Sequence, residues 1–325
     1  MKKIIIMAIT LCLVLSLTAC SCSGCKSTPP TPEASYFLED YKIKDVMPVN
    51  EVAEYTIKFT NNGETASNGI TPNATGIFTT TLTNTTLDLP IGETTNKVGC
   101  YMLTTSYELN GSYTYKNQTY PIADRIYSTV CFLGVKDNLK PIQAMRQVVC
   151  TTPYLEYSAN KVNDIEFLNY NFEYAIDYTG KDAVMMFNDN LGNLDKPEST
   201  IIKNFYSNTF VENELLYFYP RAFKLNSGFS TTRQVVTVDG KIDLNMKVSS
   251  FNSDFQWKVE GGKTHNVKVD VVQYTNTGRY TTAPISVYFA NVNDTNNLFR
   301  APVKIQSFVT LVGGFEYNLV SFSHN

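Results

Sequence analysis

The chain holds one tryptophan and two histidines in 325 residues. Each scarcity excludes something. A sugar cleft normally uses Trp platforms, and only Trp257 is available. The reading for Trp257 is therefore a strand residue packed on the core. Nucleophilic hydrolysis normally sets a base beside a nucleophile. His265 is the sole internal histidine, because His324 lies one residue from the end. It sits in Gly261-Gly262-Lys263-Thr264-His265-Asn266, a turn composition, and no Gly-x-Ser-x-Gly elbow accompanies it. No phosphate-cradling Gly-x-x-x-x-Gly-Lys-Ser/Thr, no Gly-x-Gly-x-x-Gly and no paired Cys-x-x-Cys set is present.

A basic excess is also missing: 27 Lys and Arg face 30 Asp and Glu. Without a basic field, nucleic acid is not an expected partner. Long Ala/Leu/Glu/Lys-rich periodic runs are absent, so helix should be scarce. Apart from one N-terminal stretch there is no long hydrophobic run. The loop Asn188-Asp189-Asn190-Leu191-Gly192-Asn193-Leu194-Asp195 has the oxygen density of a calcium site, but Gly192 falls at the wrong offset for an EF-hand. A hairpin loop is the reading taken, and no metal or cofactor is expected. Leu89-Pro90-Ile91-Gly92 evokes a wall-anchoring signal, yet that signal belongs before a C-terminal hydrophobic tail, and this chain ends Ser321-Phe322-Ser323-His324-Asn325.

What the chain does have is Tyr and Phe, 21 and 19 of them, with abundant Thr, Val and Ile. These residues suit pleated surfaces. Period-two alternation with Asn, Gly and Asp punctuation dominates from residue 50 onward. Tyr55 to Phe59 alternates, then stops at Asn61-Asn62-Gly63, and a Thr/Asn/Gly-rich loop is expected up to about Thr75. Ile77 to Leu87 is a strand. Val98 to Leu109, Asn110-Gly111 and Ser112 to Tyr120 read as a hairpin, because two apolar-patterned runs joined by Asn-Gly are its strongest short-range signal. Ile126 to Val135, Arg146 to Thr151, Ile165 to Tyr178 and Ala183 to Phe187 follow as strands. Asp239-Gly240 should join a hairpin of Arg233 to Val238 and Lys241 to Val248. Gly261-Gly262 should join Phe255 to Glu260 and Lys263 to Tyr274. Ile285 to Ala290, Val303 to Leu311 and a return from Gly313-Gly314 through Phe315 to Phe322 complete the set. Strands at this spacing predict an all-β body, a large and mostly antiparallel curved sheet of half-barrel or sandwich type. The segment Glu212 to Phe223 has helix-compatible acids at its front, but Pro220 would break a helix after two turns. A strand buried on both faces is expected there.

The N-terminus reads differently. Lys2 and Lys3 form a positive n-region, and Ile4 to Leu17 is an apolar run of signal-peptide length, too short for a spanning helix. It closes on Leu17-Thr18-Ala19-Cys20. This resembles the lipobox of a bacterial lipoprotein. The resemblance implies cleavage after Ala19, a thioether-linked diacylglycerol on Cys20 and further acylation such as palmitate. Two or three acyl chains hold a protein durably on a bilayer. The expected location is the extracytoplasmic face of the bacterial cell membrane. Residues 1–19 are then the signal peptide, residues 20–35 a Pro/Ser-rich lipidated tether, and residues 36–325 the β body, with a possible sub-boundary near 155–200. Removing Lys2 and Lys3 leaves 25 basic against 30 acidic groups, a net charge of −5. Pro29, Pro30 and Pro32 favour extended backbone. The tether reaches at most about 50 Å at roughly 3.3 Å per residue. Cys22 and Cys25 read as spare tether thiols, since no second Cys/His pair lies nearby to complete a metal site.

In the body, Cys100, Cys131 and Cys150 allow three alternative single disulfides, and buried free thiols are an equal reading. The second half carries Asn213-Glu214-Leu215-Leu216 before an aromatic run ending in Arg221, Gly261-Gly262-Lys263-Thr264 before a long strand, and Phe299-Arg300-Ala301-Pro302-Val303-Lys304-Ile305 before the Gly313-Gly314 return. It resembles a loosely defined family of exported bacterial β-proteins. Such domains are similar to a long antiparallel sheet curled into a half-barrel, as in periplasmic lipoprotein-carrier proteins. The resemblance implies no catalytic residue.

Three functions follow as expectations. The first is a non-catalytic surface module contacting a protein or wall partner, which requires a contiguous exposed apolar patch. The second is a carrier of an apolar ligand, lined by residues such as Leu215, Tyr217, Phe218 and Phe223. The third is a hydrolase with an unrecognised carboxylate site, which requires acids converging in a cleft. The first is preferred.

Overall fold

The computed structural model describes residues 50–60, 70–91, 94–134, 137, 139–151, 154–158, 161–166, 170–191, 198–203, 210–223, 225–237, 240–259, 261–276, 285–291, 295–309 and 313–324. The expected signal peptide, Cys20 and the expected tether lie outside them.

The body is all-β. Its strands are β1 (Glu51–Thr60), β2 (Ile70–Ile91), β3 (Thr94–Tyr115), β4 (Gln118–Phe132), β5 (Pro141–Cys150), β6 (Tyr154–Ser158), β7 (Lys161–Glu166), β8 (Tyr170–Asp177), β9 (Ala183–Asp189), β10 (Glu198–Ile202), β11 (Phe210–Glu212), β12 (Ser230–Thr237), β13 (Gly240–Lys258), β14 (Thr264–Asn276), β15 (Ile285–Ala290), β16 (Pro302–Val309) and β17 (Gly313–Ser323). Two 3₁₀ turns, η1 (Asn213–Tyr217) and η2 (Tyr219–Ala222), interrupt them. Fifteen strands form one sheet, ordered β10-β9-β8-β5-β4-β3-β2-β1-β17-β16-β15-β14-β13-β12-β11, and β6 and β7 pair separately. All neighbours in the large sheet run antiparallel except β11 beside β12. First and last strands stay at opposite edges, so the curved sheet does not close into a barrel. The first and last strands in chain order, β1 and β17, pair with each other in mid-sheet.

Alternation explains which face is which. Along β5 the inward residues are Ala144, Arg146, Val148 and Cys150, and every residue between them is exposed. Inward residues from both halves merge into one core, including Tyr55, Phe78, Tyr107, Phe172, Val287 and Leu319. Trp257 belongs to it, with its indole N–H donating to the Leu319 carbonyl at 2.8 Å. His265 lies opposite Trp257, with ring centroids 5.3 Å apart.

Three sequence expectations change. The Asn110-Gly111 hairpin does not form. Instead β3 runs on to Tyr115, opposite Ile70, and the chain turns at Lys116-Asn117. Both of those residues have positive φ, 48° and 64°, as a type I′ turn requires. Gly111 serves the sheet interior instead. Its φ is +149°, and a Cβ there would sit 2.2 Å from the Asn73 carbonyl oxygen. Gly76 is equally tight, with a Cβ position 1.9 Å from the Glu108 oxygen. The two glycines let β2 and β3 approach closely, a common use of glycine inside a strand. That also moves the expected loop before Thr75, because β2 already begins at Ile70.

The second change concerns β13. The expected segments Lys241 to Val248 and Phe255 to Glu260 are one strand, carried across register shifts between Val248 and Ser253. Both flanking hairpins form, with Thr237 opposite Gly240 and with Gly261 and Gly262 at φ of 83°. Asp239 lies outside the described residues. The third change concerns Glu212 to Phe223, which is not a strand buried on two faces. Only Phe210–Glu212 is extended, and the rest winds as η1 and η2. Pro220 falls in the first turn of η2, where its missing N–H costs nothing.

Candidate functional site

Every described residue from Phe210 to Phe223 is buried. A segment buried on every side has no face for solvent and must sit inside a core, with its polar groups partnered there. This segment does so, lying on the inner surface of the curved sheet as a plug. Leu215, Tyr217, Phe218 and Phe223, expected as cavity lining, instead fill the interior as members of the central core. The Tyr217 ring meets Phe78, and the Phe218 ring meets Phe132.

Short 3₁₀ turns leave backbone groups that the sheet ladder cannot satisfy, and a buried unpaired group costs free energy. Side chains from distant strands supply the partners. Tyr274 on β14 donates its hydroxyl to the Leu216 carbonyl at 2.6 Å. Glu212 caps η1, accepting from the Glu214 N–H at 2.6 Å. At the other end, Arg300 donates to the Arg221 and Phe223 carbonyls at 2.7 and 2.9 Å. Arg233, on β12, lies 5.6 Å from both the Tyr219 and the Phe223 ring.

Two buried ion pairs fasten the plug. At the front, Arg146 of β5 pairs with Glu214. Glu214 also accepts from Thr105 Oγ1 at 3.3 Å and from Asn213 Nδ2 at 3.2 Å. Arg146 meets the Tyr174 hydroxyl as well. At the back, Arg221 makes a bidentate bridge to Glu51 of β1, at 2.7 and 2.8 Å. Its guanidinium also donates twice to the Phe299 carbonyl, at 3.1 and 2.6 Å. Phe299 and Arg300 hold positive φ, 46° and 60°, a strained backbone for residues with side chains. That strain aims the Phe299 carbonyl at Arg221 and the Arg300 side chain at the end of η2.

The two ends differ electrostatically. Burial pushes the Glu212 carboxyl up to about 8, and the neighbouring Glu214 charge pushes the same way. Backbone N–H groups and Arg146 only partly oppose this. Burial also holds the Tyr174 and Tyr178 phenols well above their usual range, Tyr178 further raised by Glu212. The acids do converge, but Glu212 and Glu214 belong to the plug itself and are only 1% and 2% exposed. What this arrangement does chemically is hold a segment in place and take up one proton.

None of these pairings was anticipated. Arg146 and Glu214 are 68 residues apart, and Arg221 and Glu51 are 170 apart. One signal was available: Arg146 occupies an inward position of an otherwise apolar alternation. The segments Asn213 to Leu216 and Phe299 to Ile305, noted separately in the sequence, prove to be the plug and part of its back latch.

The outer face is of another kind. Across β5, β8, β9 and β10 the register aligns Met145, Ala175 and Met186 in one row and Val184 with Ile201 in the next. All five side chains are exposed, Ile201 to 61%. Tyr127 on β4 and Val149 on β5 are further exposed apolar residues of this face, set apart from Met145 by Gln147. The apolar area ends at β10, the outermost strand of the large sheet among the described residues. Toward mid-sheet the outer face turns polar. An open cleft of about 570 Å³ there is lined by Thr56, Lys58, Thr75, Ile77, Glu108, Asn110 and Asn318, among others.

Among the described residues, no group of three or more His, Cys, Asp or Glu is arranged to hold a metal. Asn188, Asp189 and Asn190 end β9, and Asp189 accepts from the Leu191 N–H at 2.9 Å, while residues 192–197 lie outside the described set. Cys100, Cys131 and Cys150 are free, buried thiols. Among the described residues no helix is long and apolar enough to cross a membrane. Comparison with protein-family models, with curated proteins and with solved structures finds no match to this chain.

Proposed function

We propose that this chain is a bacterial lipoprotein, anchored through acylated Cys20 on the extracytoplasmic face of the cell membrane, whose β body is a non-catalytic module for binding a protein partner. The observation that carries the binding role is the apolar patch of Met145, Ala175, Val184, Met186 and Ile201 on the outer face, running to β10, the outermost strand among the described residues. Exposed apolar surface of this kind is costly in water and commonly marks interaction sites. A strand at the sheet edge can offer backbone donors and acceptors to an incoming chain. The plug supports the same choice over an apolar-ligand carrier, because Leu215, Tyr217, Phe218 and Phe223 occupy the space a ligand would need. The Lys2-Lys3, apolar run and Leu17-Thr18-Ala19-Cys20 pattern supports the anchor.

Two experiments test this. Metabolic labelling with a fatty acid should mark the wild-type chain and spare Cys20→Ala, whereas equal labelling of both overturns the anchor. For the partner, a photo-crosslinking amino acid is placed at Ile201 and, as a control, at Lys247, exposed on β13 far across the sheet. A protein adduct from Ile201 and none from Lys247 is expected in cells. Equal adducts at both, or none at either, overturn the binding role.

A further inference from the structure

The three body thiols are not equivalent, and their placement decides among pairings that the sequence leaves open. Cys150 ends β5 on the inner side, in the central core. Burial raises its thiol first, and the Asp124 charge adds to this. Cys100 and Cys131 lie on the opposite face of the sheet. They form a small hydrophobic cluster with Ile142, against which Leu87, Leu89, Val98, Met102 and Leu133 pack. Cys131 stands opposite Met102, which places Cys100 diagonally across the same strand pair. Each thiol perturbs the other's titration, as near neighbours on one face do.

We propose that Cys100 and Cys131 are a redox pair that closes to a reversible cross-strand disulfide, while Cys150 stays reduced. Diagonal neighbours in an antiparallel pair lie roughly 7–8 Å apart at Cα, slightly beyond the roughly 4.4–6.8 Å of ordinary disulfides. Closure therefore needs a small backbone adjustment, and two local features permit it. Gly99 adjoins Cys100 and has open space where a Cβ would stand. The β4–β5 register shifts between Cys131 and Phe132. A bond formed under such strain is more readily reduced than a relaxed structural one, which makes the pair switchable.

The oxidant is a low-molecular-weight disulfide such as oxidised glutathione. One protein thiolate attacks a sulfur of that disulfide, breaking its S–S bond and releasing one thiol. The second protein thiolate then attacks the mixed disulfide and releases the other thiol. The two protein thiols lose two electrons and two protons, and both end on the two small thiols released. Burial pushes both protein thiols up, Cys131 to about 11, so few thiolates are present at neutral pH and exchange should be slow.

The test uses the full chain, equilibrated with oxidised or reduced glutathione, alkylated under denaturing conditions and digested without reductant. After oxidation, mass spectrometry should find one peptide pair joined through Cys100 and Cys131, with Cys150 alkylated throughout. Reduced glutathione should restore alkylation of both. In Cys100→Ser, Cys131 should be found alkylated or capped by a single glutathione, and in either case should form no bridge to Cys150. Alkylation of both Cys100 and Cys131 after oxidation, or any bridge involving Cys150, overturns the proposal. So does a Cys100–Cys131 bond that reduced glutathione cannot open.

Discussion

The two ends of the plug are fastened by the same chemistry, an arginine on a glutamate, yet they are not equal. At the back, Arg221 meets Glu51 in a two-point bridge and spends its other donors on the Phe299 carbonyl. At the front, Arg146 meets Glu214 with a second carboxyl, Glu212, held in the same dry space. Buried charge is costly unless partnered in good geometry. The back latch satisfies that demand outright. The front latch satisfies it only while Glu212 carries a proton. One end is therefore a fixed bolt and the other responds to pH.

The largest expected effect is at the bolt. Arg221→Met strands the Glu51 carboxylate and frees two backbone carbonyl contacts, and should cost about 3–5 kcal/mol of unfolding free energy. Urea denaturation reads this directly. The front latch should tolerate more. Glu214→Gln leaves Arg146 with Glu212 nearby, whose ionisation becomes easier once its neighbour is neutral, so the expected loss is about 1–3 kcal/mol. Equal losses at both ends would remove the distinction between them.

The third prediction concerns pH. The Glu212 pKa is raised from 4.5 to about 8 on folding, so between these values the folded state holds a proton that the unfolded state has released. Stability from this group is full below pH 4.5 and is lost as pH rises toward 8. The slope is at most about 1.4 kcal/mol per pH unit. Glu212→Gln should flatten this decline, leaving the variant relatively more stable at pH 8 than at pH 5. Parallel stability curves for variant and wild type would show that Glu212 does not titrate in this range. Smallest of all is the outer face. Ile201→Thr touches no buried partner and should change stability by no more than about 0.5 kcal/mol. A larger loss would mean that the outer apolar patch supports the fold rather than awaiting a partner.

Most of the sheet was legible because its signal is local. Alternation at Tyr55 to Phe59, Tyr170 to Tyr174 and Arg233 to Val235 needs only a side chain's immediate neighbours. Gly261-Gly262 forms its turn because positive φ is cheap there. Asn110-Gly111 misled for the opposite reason. The same permissiveness that suits a turn also suits two strands pressed together, and only the facing strand reveals which use applies. Lys116-Asn117 makes the actual turn although Lys adopts positive φ at some cost. The plug was misread because an apolar run with Pro220 fits both a doubly buried strand and a buried 3₁₀ segment.

The sequence by itself determined the class of fold and an outline of the strands, since period-two burial is written residue by residue. It also carried the whole argument for Cys20, whose recognition pattern is linear. The tertiary structure alone decided what the concave face holds, which acids meet which arginines, and which two thiols share one face of a strand pair. Those facts depend on residues brought together across as many as 170 positions, and no local spacing encodes a contact that only the curvature of the sheet creates.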